Sequence, residues 1–192
     1  MFRLLLLSYF LFGCTNSSYD VQYSDTQALG LRTIHWDSSD LHEMAEAMVS
    51  AILKDGKVAD RDNQRVYGFL PIKNNTYDHI DTQDLTNTIK TSLIHSKLIK
   101  IVDVTHREKL HKILQNQIKN AKYYDQIKKS GKEMGVEGFF YGSISAIYQK
   151  NSIRKDMYFK FTLNLINIEK GEIIWSEEMD IRKVYDRKLF GW

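Results

Sequence analysis

Cys14 is the only cysteine of the chain, and its thiol is the strongest nucleophile the sequence offers. With no second cysteine, neither an intrachain disulfide nor a thiolate metal site can form. Glu177, Glu178 and Asp180 lie close together near the C-terminal end, and paired carboxylates could do acid–base work. Set opposite Arg182 and Lys183 on a strand, they read far better as a solvated face. His106 and His111 are five residues apart, the wrong spacing for two ligands on one turn of a zinc-binding helix. Gly131-Lys132 lacks the upstream glycine and the following Ser or Thr of a phosphate loop, and no Gly-x-Ser-x-Gly elbow is present. These residues predict a binding protein and not an enzyme, with no cofactor and no metal.

Cys14 draws its meaning from what precedes it. Arg3 gives a positive start, residues 4–12 are almost continuously apolar, and Leu11-Phe12-Gly13-Cys14 closes the run. That is the three-part pattern of a secretory signal, and the run is shorter than the ~20 residues a membrane span needs. The Leu-x-Gly-Cys ending resembles a bacterial lipobox, which implies a diacylglycerol on the Cys14 sulfur and a membrane association through that lipid. Thr15 stands where an Asp would resemble an inner-membrane retention signal, so the expected location is the outer membrane, facing the periplasm. Residues 1–13 are then the signal peptide and residues 14–35 a polar tether without sustained periodicity. Stretched out, the roughly twenty-five residues between Cys14 and the first helix at Leu41 reach on the order of 80–90 Å. Residues 36–192 form the globular binding domain.

The elements of that domain follow from hydrophobic period. Leu41, Met44, Ala45, Met48, Val49, Ile52 and Leu53 recur at helical spacing, with Asp40 and Glu43 at capping-box spacing. A strand is expected over residues 65–72, ending near Pro71, the only proline, and a polar loop follows to Asp81. Further helices are expected from Thr82 to Lys97, from Thr105 through Ile118, and from Asp125 to Met134, with a short strand at residues 98–104. Three strands close the chain, over residues 138–148, 157–168 and 172–181. Met157, Phe159, Phe161, Leu163 and Leu165 alternate with polar residues, as in a half-buried antiparallel strand. Ile166 and Ile168 break that alternation and predict a bulge or the end of the strand. Gly171 supplies the positive φ of the last hairpin, and residues 149–156 read as a longer, basic, mobile loop. The fold expected is α+β, a mixed sheet of four to five strands flanked by about four helices.

Charge excludes one partner class. A net charge of +3 is too weak to imply nucleic acid. Basic residues outnumber acidic ones from Lys90 to Lys132, which reads first as solvated helix faces and second as a surface for an acidic partner. A more specific docking patch is expected on the last strands and the loop before them. There Tyr148, Arg154, Lys155, Tyr158 and Lys160 combine aromatic and basic character, as interface anchors often do.

Several segments together resemble a known family. Trp36-Asp37-Ser38-Ser39-Asp40-Leu41 leads into the Met-rich helix, and Ile72-Lys73-Asn74-Asn75-Thr76 leads to Ile80-Asp81-Thr82. Residues 135–144, Gly-Val-Glu-Gly-Phe-Phe-Tyr-Gly-Ser-Ile, and residues 171–176, Gly-Glu-Ile-Ile-Trp-Ser, complete the set. With the lipobox, they resemble the LpoB-type penicillin-binding protein activators over about residues 36–182. The resemblance implies a fold like the N-terminal domain of the TolB translocation protein. It also implies an outer-membrane lipoprotein with a monomeric body that binds a class A, bifunctional penicillin-binding protein and stimulates peptidoglycan synthesis. A lipoprotein subunit of a secretion or flagellar envelope assembly is the alternative.

Overall fold

The computed structural model describes residues 33–102 and 121–186. Cys14, nearly all of the tether and the helix expected from Thr105 lie outside the described residues. The described elements run α1 (Ser38–Lys54), β1 (Val66–Phe69), β2 (Lys73–Asn74), α2 (Thr82–Ser96), β3 (Lys100–Val102), α3 (Ala121–Met134), β4 (Gly138–Lys150), β5 (Arg154–Asn167) and β6 (Ile173–Asp186). The strands form one mixed six-stranded sheet in the order β3-β1-β4-β5-β6, with β2 added to β4 beyond the end of β1. β1 is parallel to β3 and β4, whereas β4, β5 and β6 make an antiparallel meander. The α+β class is as expected.

Both faces of the sheet carry helices, but unequally. Met44, Met48 and Ile52 of α1 and Leu85, Ile89 and Leu93 of α2 are fully buried against Tyr67, Phe140, Ile144, Phe159, Phe161, Leu163 and Leu165. Burying each such side chain is worth about 1.5–3 kcal/mol. A smaller core on the opposite face gathers Leu70, Ile127, Val136, Phe139 and Ile168 under α3. Ile166 packs against this second core, which is why it leaves the alternation of β5. The bulge does occur there. The register steps from Leu165–Trp175 to Ile166–Ile173, so the extra residue, Ile174, lies on β6 and not on β5.

α3 begins at Ala121 and not at Asp125, and four further boundaries that bear on the site differ from the sequence reading. The capping box of α1 uses Asp37 as the N-cap and Asp40 as its partner, not Asp40 and Glu43. Asp37 Oδ1 accepts from the Ser39 and Asp40 backbone N–H groups, and the Asp37 N–H donates to Asp40 Oδ2 at 2.8 Å. Trp36, just before the cap, packs edge-on against Phe159 at 5.5 Å and so sets where the helix begins. Second, Lys73–Asn74 is a short strand on β4 and not loop; Pro71, after β1, has no N–H to continue the first ladder. Third, β6 runs to Asp186 and not to residue 181.

Fourth, residues 149–156 are not a mobile loop. β4 and β5 stay paired out to Lys150–Lys155, and the turn is tight. Asn151 Oδ1 accepts from the backbone N–H groups of Ile153 and Arg154 at 3.0 and 2.7 Å, standing in for a main-chain acceptor. The paired strands project past the helices here, so neither face is buried and no alternation marks the segment as strand. The β5–β6 turn uses the same device: Asn167 Oδ1 accepts from Glu169 and Lys170, and Gly171 has φ 73°, as expected.

Candidate functional site

Cross-strand pairing sorts the residues at this projecting end onto two faces. Residues directly opposite in the ladder share a face. Arg154, Asp156, Tyr158, Lys160 and Thr162 of β5 therefore lie with Asp186, Val184, Arg182, Asp180 and Glu178 of β6 on the face turned away from α1 and α2. Tyr148, Lys150, Lys155 and Tyr185 lie on the face turned towards those helices. The expected patch is thus divided. Arg154, Tyr158 and Lys160 come together, and Tyr148 and Lys155 come together on the other side.

The face turned away from α1 and α2 is electrically closed. Arg154 grips Asp186 through two hydrogen bonds of 2.6 and 3.1 Å. Arg182 donates to Asp156, and Lys160 donates to Glu178 at 2.8 Å. The Tyr158 hydroxyl donates to Asp180. These bonds favour the forms already present. The Arg182 hydrogen bond holds the Asp156 carboxyl below its ordinary value, and Arg154 does the same for Asp186. The Glu178 hydrogen bond raises the Lys160 ammonium, and the Asp180 hydrogen bond raises the Tyr158 phenol. Asp156, Tyr158 and Lys160 each reach two residues past their direct ladder partner, always in the same diagonal direction. That slant suits the right-handed twist of the sheet.

The carboxylates that suggested acid–base chemistry are separated by the same alternation. Glu178 and Asp180 are held by Lys160 and Tyr158, while Glu177 points to the other face. There it borders an open groove beside Trp175 and the C-terminal end of α1, lined by Ala47, Ser50, Ala51 and Lys54. Gly131 has a packing role. A Cβ there would stand 2.9 Å from Ile168 Cδ1 and 3.1 Å from Phe139, so the glycine lets α3 approach the sheet. His106 and His111 lie outside the described residues.

Lys183 is not solvated, contrary to its reading as part of a polar face. Its Nζ donates to the His35 carbonyl at 2.9 Å, Asp37 Oδ2 at 2.8 Å and Asp40 Oδ2 at 2.6 Å. This clamp fastens the start of α1 to β6. Burial opposes ionisation of Asp37, but hydrogen bonds from Lys183, Ser39 and the Asp40 backbone outweigh it, and the carboxyl lies below its ordinary value. Asp40 is deeper, and burial holds its carboxyl above the ordinary value despite Lys183. Burial also works against the Lys183 charge, yet the hydrogen bonds to both aspartates raise its ammonium.

A second presented residue was missed by the sequence reading. Tyr77 is fully exposed on the loop after β2. The loop is braced beneath it: Asn74 Nδ2 donates to the Asp78 carbonyl, Asn74 Oδ1 accepts from Thr76, and the Asp78 carboxylate accepts from the Trp36 N–H at 3.1 Å. The Asn-x-Thr-x-Asp spacing is visible in sequence and is the signal that could have found it.

Comparison with known proteins agrees with this architecture. Residues 40–181 match the family described as peptidoglycan-synthase activator LpoB. No curated protein matches the chain. Among solved structures, the chain resembles the LpoB C-terminal domain from Salmonella enterica, with 18% identity, 74% of this chain and 98% of that one covered, and a TM-score of 0.51. The LpoB C-terminal domain from Escherichia coli has 20% identity, the same coverages and a TM-score of 0.49. Lipoprotein GNA1162 from Neisseria meningitidis has 16% identity over 62% of this chain and 83% of that one, with a TM-score of 0.46.

Proposed function

Since the chain belongs to the peptidoglycan-synthase activator LpoB family, we propose that it is an outer-membrane lipoprotein that binds a class A penicillin-binding protein in the periplasm and stimulates it. The observation that carries this reading is the family match across residues 40–181, which takes in both helical layers and nearly all of the sheet. The family description is that of an activator, which supports a regulatory role without catalysis by this chain. In this reading residues 1–13 are removed, Cys14 carries the lipid, and the chain from Cys14 to residue 35 tethers the domain. None of the described helices is long and apolar enough to cross a membrane.

Docking is assigned to the projecting end of β4, β5 and β6, where Tyr148, Arg154, Lys155, Tyr158 and Lys160 lie. Tight turns and cross-strand pairs hold this end rigid, so few conformations are lost on binding. The test uses the full-length lipoprotein in detergent and each class A synthase of the source organism. Capture of one of them, with a faster rate of glycan polymerisation, is expected. Capture of none removes the reading.

A further inference from the structure

We propose that the face of the projecting hairpin turned towards α1 and α2 binds an acidic, extended segment of the synthase; this rests on the reading above and names the chemistry of its partner. The argument begins with Lys150 and Lys155, which stand directly opposite each other in the β4–β5 ladder. The adjacent pair, Asn151 and Arg154, is joined through the Asn151 N–H to the Arg154 carbonyl at 2.9 Å. Lys150 and Lys155 are therefore a non-hydrogen-bonded pair, the kind whose side chains approach most closely. Like charges so placed work against folding.

Nothing among the described residues offsets them. No described carboxylate forms an ion pair with Lys150 or Lys155. Asp186 and Asp156 are taken by Arg154 and Arg182 on the opposite face, and Asp37 and Asp40 by Lys183. The Lys155 ammonium stands only over the Tyr185 ring, at 6.0 Å. Tyr148 and Tyr185 flank the lysines and are exposed. One face of the hairpin thus matches each cation with an anion, while the other leaves two cations between two tyrosines.

A lysine on an edge strand also blunts unwanted strand pairing. That role would account for Lys150 on β4 but not for Lys155, because β5 lies between β4 and β6. The shape of the partner follows from the β4 edge. Leu70 and Asn75 donate to the carbonyls of Phe140 and Ile144, so the even-numbered residues of β4 turn their backbone groups to that side. Among the described residues no strand pairs with β4 past Ile144. The backbone groups of Ala146, Tyr148 and Lys150 are left for an added strand, which is a common mode of peptide recognition. Carboxylates on that strand would meet Lys150 and Lys155, and its apolar atoms the tyrosine rings.

The test is the double variant Lys150→Gln/Lys155→Gln in the full-length lipoprotein. It removes the repulsion, so its Tm should equal or exceed that of the parent protein. Its affinity for the synthase should fall by about tenfold, and the dependence of affinity on salt should flatten. Affinity within about twofold of the parent, with an unchanged salt dependence, would overturn the proposal. If the parent protein captures no synthase, the functional reading fails and the patch is judged separately with a hexaglutamate peptide. NMR shifts at Tyr148 and Tyr185 that vanish in the double variant would support an acidic ligand; no shift in the parent protein would overturn it.

Discussion

Replacing Lys183 by Met tests the clamp at the start of α1. The substitution keeps the length of the side chain and removes its charge, leaving Asp37 and Asp40 without a cation. Breaking a buried pair in this way costs about 3–5 kcal/mol. The lysine side chain is 17% exposed, Asp37 21% and Asp40 4%. Partial hydration places the expected cost at the lower end, about 3 kcal/mol, or roughly a 10 °C fall in Tm for a domain of this size. Urea unfolding followed by tryptophan fluorescence measures it, since Trp36 sits beside the clamp. Adding Asp40→Asn should recover about half of the loss, because the amide oxygen still accepts from the Asp37 N–H without an unpaired charge. The pH dependence has a defined sign. The raised Lys183 contributes fully below its ordinary 10.5 and is lost as pH rises through its folded value. The lowered Asp37 contributes above 3.8 and is lost as pH falls through its folded value. The raised Asp40 works the other way, favouring the fold at low pH and losing that contribution as pH rises through its folded value. The parent protein should therefore lose clamp stability above pH 10.5, and the Lys183→Met protein should not. Burial of Tyr67, with its phenol pushed up to about 12, leaves an alkaline limb in both proteins, so a loss under about 1 kcal/mol, or an alkaline limb no smaller in the Lys183→Met protein than in the parent, would refute the reasoning.

Gly142→Ala should cost about 3 kcal/mol and reduce soluble yield, because its Cβ would meet the Thr162 carbonyl oxygen of the paired strand; a Tm within about 2 °C of the parent would show that the strands yield. Phe140→Ala should cost about 3–5 kcal/mol in urea unfolding, since its ring packs against Tyr67, Phe69 and Trp175 at 5.4, 4.7 and 6.0 Å. Under the proposed lipid attachment, Cys14→Ser should leave this stability unchanged and move the protein out of the outer-membrane fraction. Deleting about ten residues between Asn16 and Leu29 should abolish activity in cells while leaving detergent-phase binding of a synthase intact, and full activity would show that reach is not limiting.

The buried half of the fold was legible because burial imposes a period. Met44, Met48 and Ile52 announce α1 at helical spacing, and Phe159, Phe161 and Leu163 announce β5 by alternation. The projecting hairpin had no such announcement: Gln149, Lys150, Arg154 and Lys155 are polar because both of their faces meet water. Tyr158 and Lys160 could be nominated as exposed, but only the ladder register shows them on the opposite side from Tyr148 and Lys155. Lys183 looked solvated because its partners precede it by 146 and 143 residues. Lys150 drew no notice because its repulsive partner is defined only once the turn at Asn151 is known.

The Lys183 clamp also determines how a mechanical load would travel through the domain. Any pull on the chain before Thr33 reaches Trp36 and the His35 carbonyl first. Contacts of 2.6–2.9 Å to one ammonium form a stiff link that yields over a very short extension. Behind it, the Trp36–Phe159 contact is softer and gives way gradually. Force is thereby handed to the loop after β2 at Asp78, to β6 at Lys183 and to β5 at Phe159 before α1 can be drawn from the core. Lys183 is two residues from Tyr185, and its ladder partner Met157 is two residues from Lys155. Under the proposed lipid attachment, tension between the membrane and the domain would be delivered to the strands proposed to meet the synthase, while the helical core stays unloaded.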